Sequence, residues 1–412
     1  MQTTDRHLSL DALRGFAVMG ILLLNITAFA MPEAAYINPA AWGGTDPLNI
    51  GVWTANFVLF DGKMRGLFSV LFGASMLLVT QRAEASGQNP RALHLNRMFW
   101  LFVIGSAHFL LIWWGDILML YAMTGTIALL FVGKDIRQLL RWAAGLFLLS
   151  FLLNAAILAA CYWLQVAAQA PDASAETLEA YAEMIGELGA PDTATLQDNV
   201  DLYRGPYAGV LAEAASLYLP GIKASLFLYT ADTLAMMLIG MAMLKSGFAL
   251  GLWAPRLYRK IASRGLLLGL PGMAALAAWV IISGFDPLTT FGAFALWSLP
   301  FRVALTVAWA ALLMLLIVNH AAHPLIVRVA AAGRAAFSNY LGTSLLMTFI
   351  FNGWGLGLFG SVDRITAILI VFGAWALMLL WSKPWLSRYR FGPMEWLWRS
   401  LARRKPQPMR LR

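Results

Sequence analysis

The chain has 412 residues, 60% of them hydrophobic and only 12% charged, with a mean hydropathy of +0.68. Soluble domains carry roughly 25% charged residues, so a soluble fold is excluded; apolar stretches of about 20 residues without strand-like alternation predict an all-α polytopic bundle crossing about 30 Å of hydrocarbon. The formal charge of +9 does not mark a nucleic-acid binder, because the basic residues sit in short clusters between apolar stretches and at the C-terminus, which is the pattern of membrane topology.

The first predicted span covers residues 12–30, within "LDALRGFAVMGILLLNITAF". Arg14 stands at its cytoplasmic end, where a guanidinium either pairs with phosphates or snorkels to headgroups. Asn25 lies further along the same helix, in its outer half. "AFA" at Ala28–Ala30 resembles a signal-peptidase site, but Asp5, Asp11 and Arg14 make a poor leader, and the span is expected to be retained.

The second span, 57–80, opens with "FDGKMRGLFSVLFG". Asp61 and Arg65 stand at i, i+4, where they are expected to neutralise one another, with Lys63 between them. The third and fourth spans, 98–114 and 117–133, are joined by "WWGD" and must form a tight hairpin with its tip outside. His108 lies in the third span and Asp116 at the tip. A continuous helix would separate them by about 12 Å, so these two alone are not expected to form a dyad. Asp232, from the sixth span, is the alternative partner. A histidine in a span serves either as a general base or as a helix-to-helix hydrogen bond.

The fifth span, 143–166, contains Cys161, the only cysteine, which rules out an intrachain disulfide. An acidic extracytoplasmic loop follows over 168–222. It holds Asp172, Glu176, Glu179, Glu183, Glu187, Asp192, Asp198, Asp201 and Glu213, and "SAETLEAYAEMIGELG" within it predicts an amphipathic helix. The sixth to eighth spans are 225–244, 265–284 and 301–320, with Asp286 at an edge and Arg302 opening the eighth. His320 and His323 stand at a helix end, and no metal is expected. The ninth span, 335–352, is entered through "GRAAFSNYLGTSLLM", whose Arg334, Ser338, Asn339 and Tyr340 form a polar patch within reach of a cytosolic ligand; the tenth is 365–382.

Basic clusters around Arg82, Arg91 and Arg97, in "KDIRQLLR" and in "KSGFALGLWAPRLYRKIASR" mark the cytoplasmic loops, and about ten spans place both termini in the cytoplasm. Residues 1–383 form one bundle; 384–412 form an amphipathic, basic tail expected to touch anionic lipid. No nucleotide-binding glycine loop, zinc-protease or serine-hydrolase motif is present.

"LDALRGFAVMGILLLNITAFAMPEAAYINPAAWGG", "GKMRGLFSVLFGASM", "GSAHFLLIWWGDILMLYAMTG", "ADTLAMMLIGMAMLKSG", "AGRAAFSNYLGTSLL" and "FGPMEWLWRSL" together resemble the YeiB-like family of bacterial inner-membrane proteins over almost the whole chain. That family is similar in turn, chiefly through "LDALRG", to transmembrane acyltransferases, including the heparan-alpha-glucosaminide N-acetyltransferases and the sugar O-acylating membrane enzymes. The wider resemblance implies a multi-pass inner-membrane protein that takes acyl-CoA, acetyl-CoA first of all, from the cytoplasm. The acyl group would pass to an acceptor on the other side, an envelope glycan or a small molecule, and the lysosomal relative suggests a homodimer.

On that reading Arg14, Arg334 and Asn339 hold the donor, Asn25 lines its path, and His108, oriented by Asp116 or Asp232, is the general base. The sugar O-acylating members carry a histidine where this chain has Asn25, which leaves His108 as the candidate imidazole. The rival reading is a solute or lipid transporter in which Asp61, Asp116 or Asp232 titrates. A third is a non-enzymatic membrane protein.

Overall fold

The computed structural model describes residues 3–191 and 194–411, with side chains from Leu8 onward; the Asp5 side chain and Asp192 lie outside this description. Among the described residues the chain is helical, and the single strand-like feature is an isolated bridge between Tyr389 and Arg410. Helix α1 (Thr3–Ala30) is followed by the short α2 (Ala34–Ile37) and by α3 (Pro47–Leu59), which Asp46 caps with its side chain. A break at Phe60–Gly62, with Gly62 at φ +70°, separates α3 from α4 (Lys63–Ala85). The predicted second span therefore begins across a break, and the break carries Asp61.

Helix α5 (Pro90–Leu111), capped by Asn89, returns to α6 (Leu118–Ala128), and α7 (Ile136–Ala168) starts at a capping box of Asp135 and Gln138. The acidic loop folds into α8 (Ala175–Glu187), α9 (Ala194–Arg204) and α10 (Tyr207–Ala224). The first of these is the amphipathic helix predicted there, with Ser174 as its cap. A π turn at Ser225–Tyr229 leads into α11 (Thr230–Lys245), followed by α12 (Pro255–Ile282), α13 (Pro287–Gly292) and α14 (Leu299–Asn319). The chain ends with α15 (Pro324–Arg334), α16 (Ala336–Phe351), α17 (Arg364–Arg388) and α18 (Pro393–Ala402).

Seven helical stretches of the described residues are long and apolar enough to cross a membrane, and Leu118–Phe131 and Ala336–Phe351 are shorter apolar helices. The predicted spans on α5, α6 and α16 are thus helical without being among the seven. Two helices organise the interior. Helix α1 has Ala12, Leu13, Ala17 and Val18 buried, and α11 is buried along most of its length. By contrast α7 turns Trp142, Leu148, Leu152 and Trp163 outward. A helix apolar on its outer face is at home in hydrocarbon, not in water.

The backbones of α4 and α11 meet because glycines allow it. A Cβ at Gly240 would overlap the Val70 carbonyl, and one at Gly73 the Met237 carbonyl. Bilayers offer no hydrophobic drive between helices, so such close approach, with its dispersion contacts, is what holds them together. Gly240→Ala is expected to destabilise the bundle by about 1–3 kcal/mol through overpacking, read as earlier thermal unfolding in detergent. Gly145→Ala on α7, where a Cβ meets nothing, should leave unfolding unchanged.

Candidate functional site

Helix α5 stops at Leu111 because the backbone leaves helical geometry at Ile112, and the N–H groups of Ile112 and Trp113 both fold back onto the His108 carbonyl. The chain starts α6 at Leu118, and Asp116 sits just ahead of that start, its Oδ1 accepting from the Met119 N–H at 2.8 Å. The reversal brings Asp116 Oδ2 to 2.7 Å from His108 Nδ1. The expectation that these residues could not pair is corrected, because it assumed one continuous helix where the chain turns back. Both side chains are almost wholly buried, at 1% and 0% exposure.

A carboxylate accepting at Nδ1 fixes the tautomer and leaves the Nε2 lone pair free. Nε2 is buried and has no hydrogen-bond partner among the described residues. The Tyr340 ring lies 5.3 Å from the imidazole, and the Trp113 ring 6.5 Å away on edge. Trp113 stacks on Phe29 of α1 at 3.9 Å, which ties the turn to the bundle.

Beyond Tyr340 opens a cavity of about 380 Å³. Its inner wall is formed by Phe68, Phe72, Ile117, Leu118, Tyr121 and Tyr340; its other end carries Arg14, Arg82, Arg97, Arg334, Arg390 and Arg399. Arg14 bonds Asp11 at 2.8 Å and Ser75 Oγ at 2.8 Å. Arg97, Arg334, Arg390 and Arg399 form no ion pair with any described carboxylate. The two carboxylates of the wall are engaged: Asp11 holds Arg14, while Glu395 accepts from the Phe337 N–H, the Ser338 N–H and the Ser338 hydroxyl. The cavity therefore joins a cationic end to an apolar and phenolic end. Of the predicted donor residues, Arg14 and Arg334 line it.

Asn25 and Asn339 do not line the cavity. The Asn339 amide is consumed by packing, donating to the Ala332 carbonyl and Ser382 and accepting from Trp381 Nε1. His94, which the sequence reading placed outside the spans, is buried in α5, bonds the Gly125 carbonyl at 2.9 Å and lines the cavity. The tail is docked as well: Met394 and Trp398 pack on the core, Trp398 Nε1 donates to the Arg97 carbonyl, and the Arg97 guanidinium lies 4.0 Å over the Trp398 ring. Sequence reasoning missed Arg390, Arg399 and Glu395, for which "RFGPMEWLWRSL" was the available signal.

Burial pushes the Glu395 carboxyl above its ordinary value, against the hydrogen bonds from Ser338 and Phe337 that pull it down. A carboxyl whose docked-state pKa is raised contributes stability that is present at low pH and lost as pH rises past its ordinary value. Protection of residues 393–402 from hydrogen exchange, corrected for intrinsic rates, is expected to be greater at acid than at neutral pH, and Glu395→Gln should flatten that dependence.

A second polar group forms on different elements. Arg65 pairs with Asp232 at 2.8 Å, not with Asp61, and its guanidinium stacks on Tyr229. Asp61 accepts from the Tyr36 hydroxyl at 2.9 Å. Asp232 is thus committed to Arg65 and is not the partner of His108. Lys63 is fully buried, its ammonium donating to the Phe57 carbonyl, and Arg302 is held nearby, facing Asp232, Arg65 and Asp61. Three atoms without partners among the described residues, Asn56 Oδ1, Asp61 Oδ2 and Arg364 Nε, belong to residues lining a small cavity of about 30 Å³. His320 and His323 act at helix ends, the latter capping α15.

Comparison with known proteins gives matches over the whole chain. The family described as "Protein of unknown function (DUF418)" matches residues 243–405. "Uncharacterized protein YeiB" of Escherichia coli (strain K12) is 31% identical over 98% of this chain and 98% of its own length. "Uncharacterized protein YxaH" of Bacillus subtilis (strain 168) is 31% identical over 99% and 96%. A protein of Bacillus acidopullulyticus, "Uncharacterized 39.9 kDa protein in amylase 3'region", is 24% identical over 99% and 97%.

Proposed function

From membership of the YeiB-like family, to which this chain belongs, and from the geometry of its site, we propose a membrane-bound acyltransferase. It moves an acyl group, acetyl in the first instance, from cytoplasmic acyl-CoA to an acceptor hydroxyl or amine on the far side of the bacterial inner membrane. The carrying observation is a buried imidazole, oriented at Nδ1 by Asp116 and free at Nε2, one tyrosine ring away from a cavity lined by arginines. In this reading the arginine end of the bundle and both termini face the cytoplasm, an orientation supported by the basic loops, and α5, α6 and α16 complete about ten crossings.

The cavity's two ends match the donor's two ends. Phosphates meet Arg14 and Arg334 in charge-assisted, bidentate hydrogen bonds, while the thioester lies against the apolar inner wall near Tyr340. His108 Nε2 takes the proton of the acceptor as its oxygen or nitrogen attacks the thioester carbon. The carbon–sulfur bond breaks as the tetrahedral adduct collapses, and the imidazolium returns the proton to the departing thiolate. The Asp116 carboxylate steadies the positive charge on the ring, the role a buried carboxylate plays in oriented imidazoles.

Calorimetry with acetyl-CoA and longer acyl-CoA on the detergent-purified protein tests the proposal. Wild type should bind, and Arg14→Ala should weaken binding by about tenfold or more, the usual loss for a charge-assisted hydrogen bond. A well-folded wild type that binds no acyl-CoA overturns it. The second reading, a proton-coupled carrier, draws on the Asp61, Arg65, Asp232 and Arg302 group, where Asp61 Oδ2 has no partner. Such a carrier should lack affinity for CoA and lose transport in Asp61→Asn.

A further inference from the structure

The C-terminal segment, whose sequence marks an amphipathic, basic tail, makes the contacts of a wall. Glu395 holds it to the first turn of α16 through Phe337 and Ser338. Asn96 reaches the Ala402 carbonyl, and the chain end folds back so that the Arg390 N–H donates to the Met409 carbonyl and the Leu411 N–H to the Arg388 carbonyl. The segment so fixed turns Arg390 and Arg399 into the cavity that Arg14 and Arg334 line from the bundle. We propose that these four arginines, two from the tail and two from the bundle, form one site for a ligand carrying at least two linked phosphate groups, which makes the C-terminal segment a ligand-binding element.

The number of phosphates follows from charge and shape. Among the described residues only Arg14 of the four guanidiniums is ion-paired, to Asp11, and Glu395 and Asp11 also face Arg399, so the four arginines exceed the two carboxylates of the wall by two positive charges. One phosphate accepts a fork from one or two guanidiniums, whereas a diphosphate spans the two segments and balances most of the excess. Like charge adds to the case. Burial together with the neighbouring Arg403 and Arg14 holds the Arg399 guanidinium below its ordinary pKa, a repulsion that an anion between Arg399 and Arg14 relieves. Arg399 also lies 4.7 Å over the Phe391 ring, which limits its swing and sets its fork toward the cavity.

This inference rests on the reading that the cavity takes a phosphorylated ligand, and it is independent of acyl transfer. Its probe is inorganic pyrophosphate, titrated by calorimetry into the full-length protein in detergent, with inorganic phosphate beside it. Pyrophosphate is expected to bind about tenfold or more tightly than phosphate, and Arg390→Gln and Arg399→Gln should each cost about tenfold. Arg399→Lys, keeping charge without the fork, should fall between, and Arg404→Gln, on an exposed tail residue outside this cavity, should match wild type. Equal affinities for the two probes, unchanged binding in the Arg390 and Arg399 variants, or an equal loss in Arg404→Gln would overturn the proposal.

Repeating the titration in nanodiscs of phosphatidylcholine with and without cardiolipin separates the sources of the phosphates. Displacement by cardiolipin assigns them to a lipid headgroup; unchanged affinity assigns them to a soluble ligand. Pyrophosphate binding without any acyl-CoA binding would remove the acyltransferase reading and leave this site standing.

Discussion

If the proposed acyltransferase reading holds, His108→Ala is expected to lower acyl transfer by about 10²–10⁴-fold, the usual contribution of a positioned general base, while leaving the affinity for acyl-CoA near that of wild type. The separation follows from position. His108 does not line the arginine cavity; it stands behind Tyr340, with Nε2 free and Nδ1 held. Removing it takes away the proposed proton acceptor without touching the arginines proposed to meet the phosphates, so the loss should fall on turnover and not on binding.

Asp116→Asn should lose nearly as much, because an amide can present its N–H to Nδ1 and trap the tautomer whose Nε2 carries the proton. It keeps an oxygen for the Met119 N–H, so the start of α6 is preserved and the loss is not one of folding. Turnover is read as release of free CoA thiol by the protein in liposomes with candidate acceptors on the far side, and binding by calorimetry. Turnover surviving in His108→Ala would remove the imidazole from the mechanism; loss of binding together with turnover would make His108 a packing residue.

How much of this was legible in the sequence depends on whether a feature is periodic or depends on a break. Periodicity placed the apolar helices, the tight α5–α6 connection and the amphipathic α8, because burial in hydrocarbon or at its edge leaves a repeating trace. The dyad was not legible in the same way, since the distance from His108 to Asp116 depends on where α5 ends. The signal was present: an aspartate just ahead of an apolar helix, after a glycine, is a helix-start signature, and Asp116 fills that role for Met119. Asp61 and Arg65 illustrate the reverse case. Their i, i+4 spacing holds only on a continuous helix, and the break at Phe60–Gly62 puts Asp61 on the Tyr36 hydroxyl while Arg65 turns to Asp232. Arg14 and Arg334 came together as the motifs suggested, whereas the arginines of the tail needed the tertiary docking of α18, which no local pattern encodes.

Asp232→Ala is expected to destabilise the bundle by about 3 kcal/mol, at the lower end of the cost of breaking a buried ion pair because the Arg65 side chain keeps 25% of its exposure. The argument is one of what remains. Without Asp232, Arg65 stays beside Arg302 with its own carboxylate gone, and Asp61 is the carboxylate that still faces Arg302 and Lys63. Uncompensated charge at this depth is costly in proportion to how little water can reach it. Asp232→Asn, which still accepts from Arg65, should lose less, and the double replacement Arg65→Met with Asp232→Leu should recover most of the deficit, since the pair removed together leaves no orphan charge. Thermal unfolding in detergent, compared as rates at a fixed temperature, reads these differences. If the double variant is as damaged as Asp232→Ala, the pair is not what stabilises the α4–α11 interface. If it is stable yet loses acyl transfer, the cluster belongs to the acceptor's path and not merely to the scaffold that holds His108 in place.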